Sequence, residues 1–138
     1  MKCGESDGRN DEYSDNYSSE KFFELMIPKE SPIIIDIGAH KGESVMFFSS
    51  IFPKAEIYSA EPDPESYAAL IEYLPDASKA INAAISAENG SATFFQYDKS
   101  HLNSLHAINK NSKDSLGYAE STTATEVEVR CITLDTMV

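Results

Sequence analysis

Hydrophobic positions along the chain fall in short blocks whose period changes from one block to the next. Ile33 to Ile37 is an apolar run interrupted only by Asp36 and closed by Gly38. A run without alternation predicts a central strand covered on both faces, as in a parallel sheet. Val45, Phe48 and Phe52 recur at helical spacing, so a helix is expected from Glu43 to Phe52, stopped by Pro53. Ala55 to Ala60 reads as a second strand ending at Glu61. Asp63 then offers a helix cap and Pro64 a first helical residue, and Tyr67, Leu70, Ile71 and Leu74 fall on one face. Pro75 closes that helix. Ala80 to Ser86 reads as a third strand, Asn89-Gly90 as a hairpin turn, and Ser91 to Tyr97 as the returning strand. Val127, Val129 and Cys131 alternate within Thr125 to Thr133 and predict a fifth strand.

Polar stretches frame these elements. Residues 1–18 are rich in Gly, Ser, Asn, Asp and Glu and read as an acidic flexible lead. Residues 19–138 form the folded part, opening with a short helix over Ser19 to Met26. Asp98 to Thr123 reads mostly as loop. The order β-α-β-α-β predicts an α/β, Rossmann-like fold, with right-handed crossovers placing the first three strands in spatial order 3-2-1 and an antiparallel extension following.

Composition narrows the partners. The formal net charge is −12 and the pI about 4.5. Such a field repels nucleic-acid phosphates and gains nothing from anionic lipid, so neither is an expected partner. No apolar run approaches the roughly 20 residues of a membrane helix, and the N-terminus lacks the apolar core of a secretory signal. A cytoplasmic location is expected. Cys3 and Cys131 stand far apart and form no ligand cluster with His40, His101 or His106, so no metal site is expected; Cys131 reads as core.

The chemistry-bearing segment is Asp36-Ile37-Gly38-Ala39-His40-Lys41-Gly42, with Glu61 closing the second strand. In an open α/β sheet, ligands lie across the carboxyl ends of the strands. Gly38 lets the backbone turn and approach a ligand, and Gly42 does so at the helix start. An acid at Glu61, 25 residues beyond Asp36, suits the hydroxyls of a ribose. A nicotinamide site wants glycines where this chain has His40 and Glu43, and Glu43 sets a carboxylate against a pyrophosphate. S-adenosylmethionine carries an ammonium, a sulfonium and no phosphate, which matches acids on both sides of a glycine loop. Singly, each of these residues is equally well a cap, turn or surface residue. Phe94, Phe95 and Tyr97 read as strand packing, and His40 as a loop residue contributing its backbone.

The segments IIIDIGAHKGES, YSAEPDPESYAAL, AINAAIS, Asn103-Ser104-Leu105 and ITLDTMV together resemble the FkbM family of methyltransferases, from about Ile33 to the end. The resemblance implies the class I methyltransferase fold and methylation of hydroxyl oxygens on sugars or polyketide-type small molecules. It assigns Asp36, Gly38, Ala39 and Gly42 to the cofactor loop and Glu61 to the ribose. Asn82 and Ala83 fall near the adenine, and His40 stands where the family often has Asn. It also implies a continuation past Thr133-Leu134-Asp135 into further strands and a Lys-x-Asp-x-Glu-Gly motif, with much of the acceptor pocket. On that basis the chain is expected to be inactive alone. It should also be either unstable or associated with another chain through the exposed edge of the Ile33–Ile37 strand. No catalytic base is assigned; Asp135 is expected to cap the helix after it. A non-catalytic Rossmann-like binding module and an NAD- or nucleotide-binding oxidoreductase remain alternatives.

Overall fold

The computed structural model describes residues 22–24, 26–27, 30–72, 74–76, 78–108 and 123–138. The expected flexible lead, and residues 109–122 of the loop expected over Asp98 to Thr123, lie outside the described residues. Residues 22–24 and 26 are helical, where the short opening helix was expected. The strands β1 (Ile33–Ile37), β2 (Glu56–Ala60) and β3 (Lys79–Ile81) form one parallel sheet in the order β1-β2-β3. Helices α1 (Glu43–Ile51) and α2 (Pro64–Glu72) connect them. The cap expected at Asp63 is present: its Oδ2 accepts from the Ser66 N–H at 3.0 Å and the Ser66 hydroxyl at 2.7 Å.

The main core lies between this sheet and its helices, around Val45, Phe52, Ile57 and Leu70. Ile34 packs against it, and Phe23 meets Phe47 and Phe48 edge-on. Ile71, expected on the same face, is exposed, because Ser66 and Leu70 are the α2 residues turned inward.

Two expectations about the sheet need correction. Ile33 to Ile37 is not covered on both faces: Ile33, Ile35 and Ile37 are 64%, 40% and 58% exposed. A strand turns successive side chains to opposite faces, so only Ile34 and Asp36 face α1 and α2. The second cluster, Ala60, Ala83, Ile132 and Met137, covers β2 and β3 and leaves β1 bare.

The third strand is also not continuous. It breaks at Asn82, whose side-chain amide donates to the Glu61 and Pro62 carbonyls at 2.8 and 3.1 Å. The chain resumes as β4 (Ala84–Ile85), in a second sheet with β5 (Gly90–Gln96) and β6 (Thr125–Ile132). Asn89-Gly90 closes no hairpin, because β6 lies between its flanking strands. It runs parallel to β4 and antiparallel to β5, from Gly90↔Cys131 to Gln96↔Thr125. A two-residue β4 offers too little ladder to compete. Asn89 instead accepts from the Thr133 N–H at 2.9 Å, tying this turn to helix α3 (Leu134–Met137). Thr133, not Asp135, occupies the N-cap position of α3. Cys131 is buried, as expected of a core residue. Among the described residues no helix is long and apolar enough to cross a membrane.

Candidate functional site

β1 and β2 end side by side, and the loop after β1 folds back over the end of β2. The N–H groups of Gly38 and Ala39 both donate to the Ala60 carbonyl, at 2.9 and 3.1 Å. Three turns in the left-handed region follow: Gly38 at φ +79°, His40 at +49° and Gly42 at +92°. Glycine is needed at Gly42 on two counts, since a β-carbon there would also lie 3.0 Å from Leu70 Cδ1. At Gly38 a β-carbon would meet nothing within 4 Å. Gly38 therefore faces open space, while Gly42 and Ala39 are packed into the protein.

The two acids expected from the sequence hold different posts. Glu61 is 5% exposed, and its carboxylate staples the loop. Oε2 accepts from the His40 N–H at 2.7 Å and Oε1 from the Asp63 N–H at 2.8 Å. Burial raises its pKa above the ordinary value, against the lowering effect of those two hydrogen bonds. Asp36 is half-buried at the mouth of β1 and accepts from the Ser44 hydroxyl at 2.6 Å. Burial raises its pKa too, partly offset by Ser44 and reinforced by the negative charge of Glu43. The His40 ring is held between Glu43 Oε1, 3.1 Å from Nδ1, and Ser100 Oγ, 2.7 Å from Nε2.

Beside this loop opens a cleft of about 350 Å³. Its walls are Ile37 and Gly38 at the end of β1, Ala60 at the end of β2 and Pro62 just after it, Ala83 to Ile85, Phe94, and Asn103 to His106. Of the expected site residues, Gly38 and Ala83 line it. Asp36, Ala39, His40, Gly42, Glu61 and Asn82 are not among its lining and build the loop and strand break beside it.

Sequence reasoning missed most of the far wall. Phe94 is core and wall at once, buried at 3% exposure, and its inward place was legible in the alternation of β5. Ser104 joins the wall by pairing with Phe95, a contact with no local signal. His106, read as an ordinary loop residue, lines the cleft; the side chain of His101 lies outside the described part. Among the described residues no group of three or more His, Cys, Asp or Glu is placed to hold a metal ion. An apolar cleft at strand ends, with acids behind a glycine turn, can accept a flat uncharged ring beside a cationic group.

The sequence profile of the methyltransferase FkbM domain matches residues 36–138. The 2-O-methyltransferase NoeI of Sinorhizobium fredii is 34% identical over 71 residues, which are 50% of this chain and 29% of that protein. The plantazolicin methyltransferase BpumL, solved with SAH and a monoazolic desmethylPZN analog, aligns at 22% identity with a TM-score of 0.44. That alignment covers 56% of this chain and 31% of the other. A second BpumL structure, with SAH, aligns at 21% identity and a TM-score of 0.41, over 59% and 38% of the two chains. The chain thus spans well under half the length of the relatives it matches. With the profile matched over most of its length, the chain belongs to the FkbM methyltransferase family, whose members use S-adenosylmethionine.

Proposed function

We propose that the cleft beside Gly38 holds S-adenosylmethionine and that the chain serves the O-methylation of a hydroxyl on a small molecule, of sugar or polyketide type. The observation that carries this reading is the pairing of an apolar cleft at the ends of β1 and β2 with a glycine turn open on the cleft side and two carboxylates behind it. The cofactor's adenine would lie against Ala83 and Phe94, with Asn82 shaping the strand break beside it. The backbone at Gly38 would allow close approach of the ribose and methionine, and Ala39 and Gly42 would serve by fixing the turn behind it. Asp36 would attract the α-ammonium, and Glu61 would act first through the His40 loop it holds and then through its remaining lone pairs toward the ribose.

The bound cofactor supplies an electrophilic methyl on a sulfonium that is already a good leaving group. The chain's residues then have to bind, orient and keep water out. With the cofactor held there, its methyl would pass to an acceptor hydroxyl, the sulfur keeping the electron pair of the broken carbon–sulfur bond and the hydroxyl proton leaving to solvent or a base. A nucleotide-binding oxidoreductase fits less well. Glu43 stands in the first turn of α1, where a pyrophosphate would have to settle.

The proposal includes a cytoplasmic setting and a small-molecule acceptor. A longer protein that carries this chain together with the further strands the resemblance implies, incubated with methyl-labelled S-adenosylmethionine and a panel of sugar and polyketide hydroxyl acceptors, should place label on oxygen, while this chain alone should bind the cofactor without transfer. Label found only on amines or carboxylates would overturn the acceptor class. No transfer by the longer protein despite tight cofactor binding would favour a binding module.

Self-association is part of the same proposal. Ile33, Ile35 and Ile37 form a bare apolar row, and β1 ends the described sheet with an unpaired edge. Sedimentation should show dimers or larger species that Ile35→Lys reverts to monomer. A wild-type chain that stays monomeric at about 100 μM, high beside the Kd of a specific pairing, would contradict it.

A further inference from the structure

His40 is where three parts of the site meet. Its N–H is fixed by Glu61, and its ring reaches away from the glycine loop to Ser100, 60 residues on in sequence. The ring's orientation follows from its partners. A carboxylate oxygen only accepts, so the proton facing Glu43 sits on Nδ1. With Nδ1 carrying its proton, Nε2 accepts from the Ser100 hydroxyl in the neutral ring and donates to the hydroxyl oxygen in the protonated one, so the contact holds in either form. The side chains of His40 and Glu43 are each only 10% exposed, so these contacts are largely shielded from water.

Ser100 opens a single 3-10 turn, Ser100–Leu102, and the residues after it, Asn103 to His106, are the far wall of the cleft. That wall is hung on β5 at its other side. The Phe95 N–H donates to the Ser104 carbonyl at 2.8 Å, and the Ser104 N–H donates back at 3.1 Å. The Tyr97 N–H donates to Asn103 Oδ1 at 2.8 Å. One edge of the wall is thus ladder-bonded, and the other is tied through Ser100 and His40 to the loop that opposes it across the cleft.

The geometry points to His40 as a positioning residue that locks the wall Asn103–His106 to the glycine loop through Ser100, so that filling the cleft and ordering its wall are one linked event. This rests on the reading that the cleft holds the cofactor, and it assigns a role to two residues that need not touch the ligand. His40 suits the post on both counts that matter. Histidine is among the residues that tolerate the left-handed backbone, and its ring spans a distance that asparagine, equally tolerant there, does not.

The test is a cycle of Ser100→Ala, His40→Asn and the double variant, read two ways. With S-adenosylhomocysteine as the calorimetric probe, each single variant should weaken binding about tenfold, the worth of one such hydrogen bond. The double variant should be no weaker than the worse single one, and Ser100→Thr, which keeps the hydroxyl, should restore affinity. In the unliganded protein, amide exchange at Ser104 and Leu105 should quicken about tenfold in both single variants, while Ile57 in β2 keeps its protection. Fully additive losses, or unchanged exchange at Ser104, would overturn the lock. If the wild-type protein fails to bind S-adenosylhomocysteine, the cofactor reading falls. The exchange data then decide the lock by themselves: faster exchange supports it and unchanged exchange overturns it.

Discussion

Glu61→Ala should lower stability by about 2–6 kcal/mol. The side chain accepts from two backbone N–H groups, His40 and Asp63, and is itself buried. Truncation leaves both donors unsatisfied, and each buried orphan costs about 1–3 kcal/mol. Glu61→Gln should recover only part of the loss, because an amide presents one acceptor and turns its NH₂ toward the other donor. Urea denaturation reads both variants; a loss under about 1 kcal/mol for Glu61→Ala would mean the staple contributes little. A consequence follows for ligand binding. Weak cofactor binding by Glu61→Ala is not by itself evidence of a ribose contact, since the loop would be lost as well.

Asp36→Asn should do the opposite to stability while harming binding. The carboxyl of Asp36 is held above its ordinary value by burial, with Ser44 pulling the other way and Glu43 adding repulsion. A carboxyl raised in the folded state takes up its proton there first. Its contribution to stability is therefore best below the ordinary carboxylate value and falls as pH rises from there through the raised value. At neutral pH the charged form opposes folding. Asp36→Asn removes that opposition, keeps an acceptor for Ser44, and should give an equal or higher Tm at pH 7. The acid side of the stability curve should be flatter, with the remaining slope of this sign due to Glu61. Affinity for S-adenosylhomocysteine should fall about tenfold to a hundredfold through loss of a charge-assisted contact with the ammonium. A variant that is less stable and binds as well as wild type would refute the assignment. Stability sacrificed at a binding site is the usual trade.

Local chemistry made much of the fold legible. The bounds of β1, the helix starts at Glu43 and Pro64, and the cap at Asp63 follow from residue type and period alone, and the structure places all of them. The misreadings share one cause, a partner distant in sequence. Asn82 breaks the third strand by bonding carbonyls 20 and 21 residues away. β6 slides between β4 and β5 because its longer ladder outweighs the Asn-Gly turn. An isoleucine run does not say which of its faces the rest of the chain covers, and half of this one is bare. At the site the glycine loop was readable because its residues are contiguous. The wall at Asn103–His106 was not, since contacts with His40, Phe95 and Tyr97 place it there.

The central claim is that the cleft beside Gly38 is built for an adenosyl cofactor without a pyrophosphate. Titrating the isotopically labelled chain with S-adenosylhomocysteine, and separately with NAD, tests it most directly by amide chemical shifts. S-adenosylhomocysteine should move Gly38, Ala60, Ala83 and Ser104 through Ile108 along a saturable one-to-one curve and leave the far end of the sheet at Ile33 and Glu56 unmoved. NAD should move none of them. Saturable NAD shifts at Gly38 and Ala83, with S-adenosylhomocysteine inert there, would contradict the account.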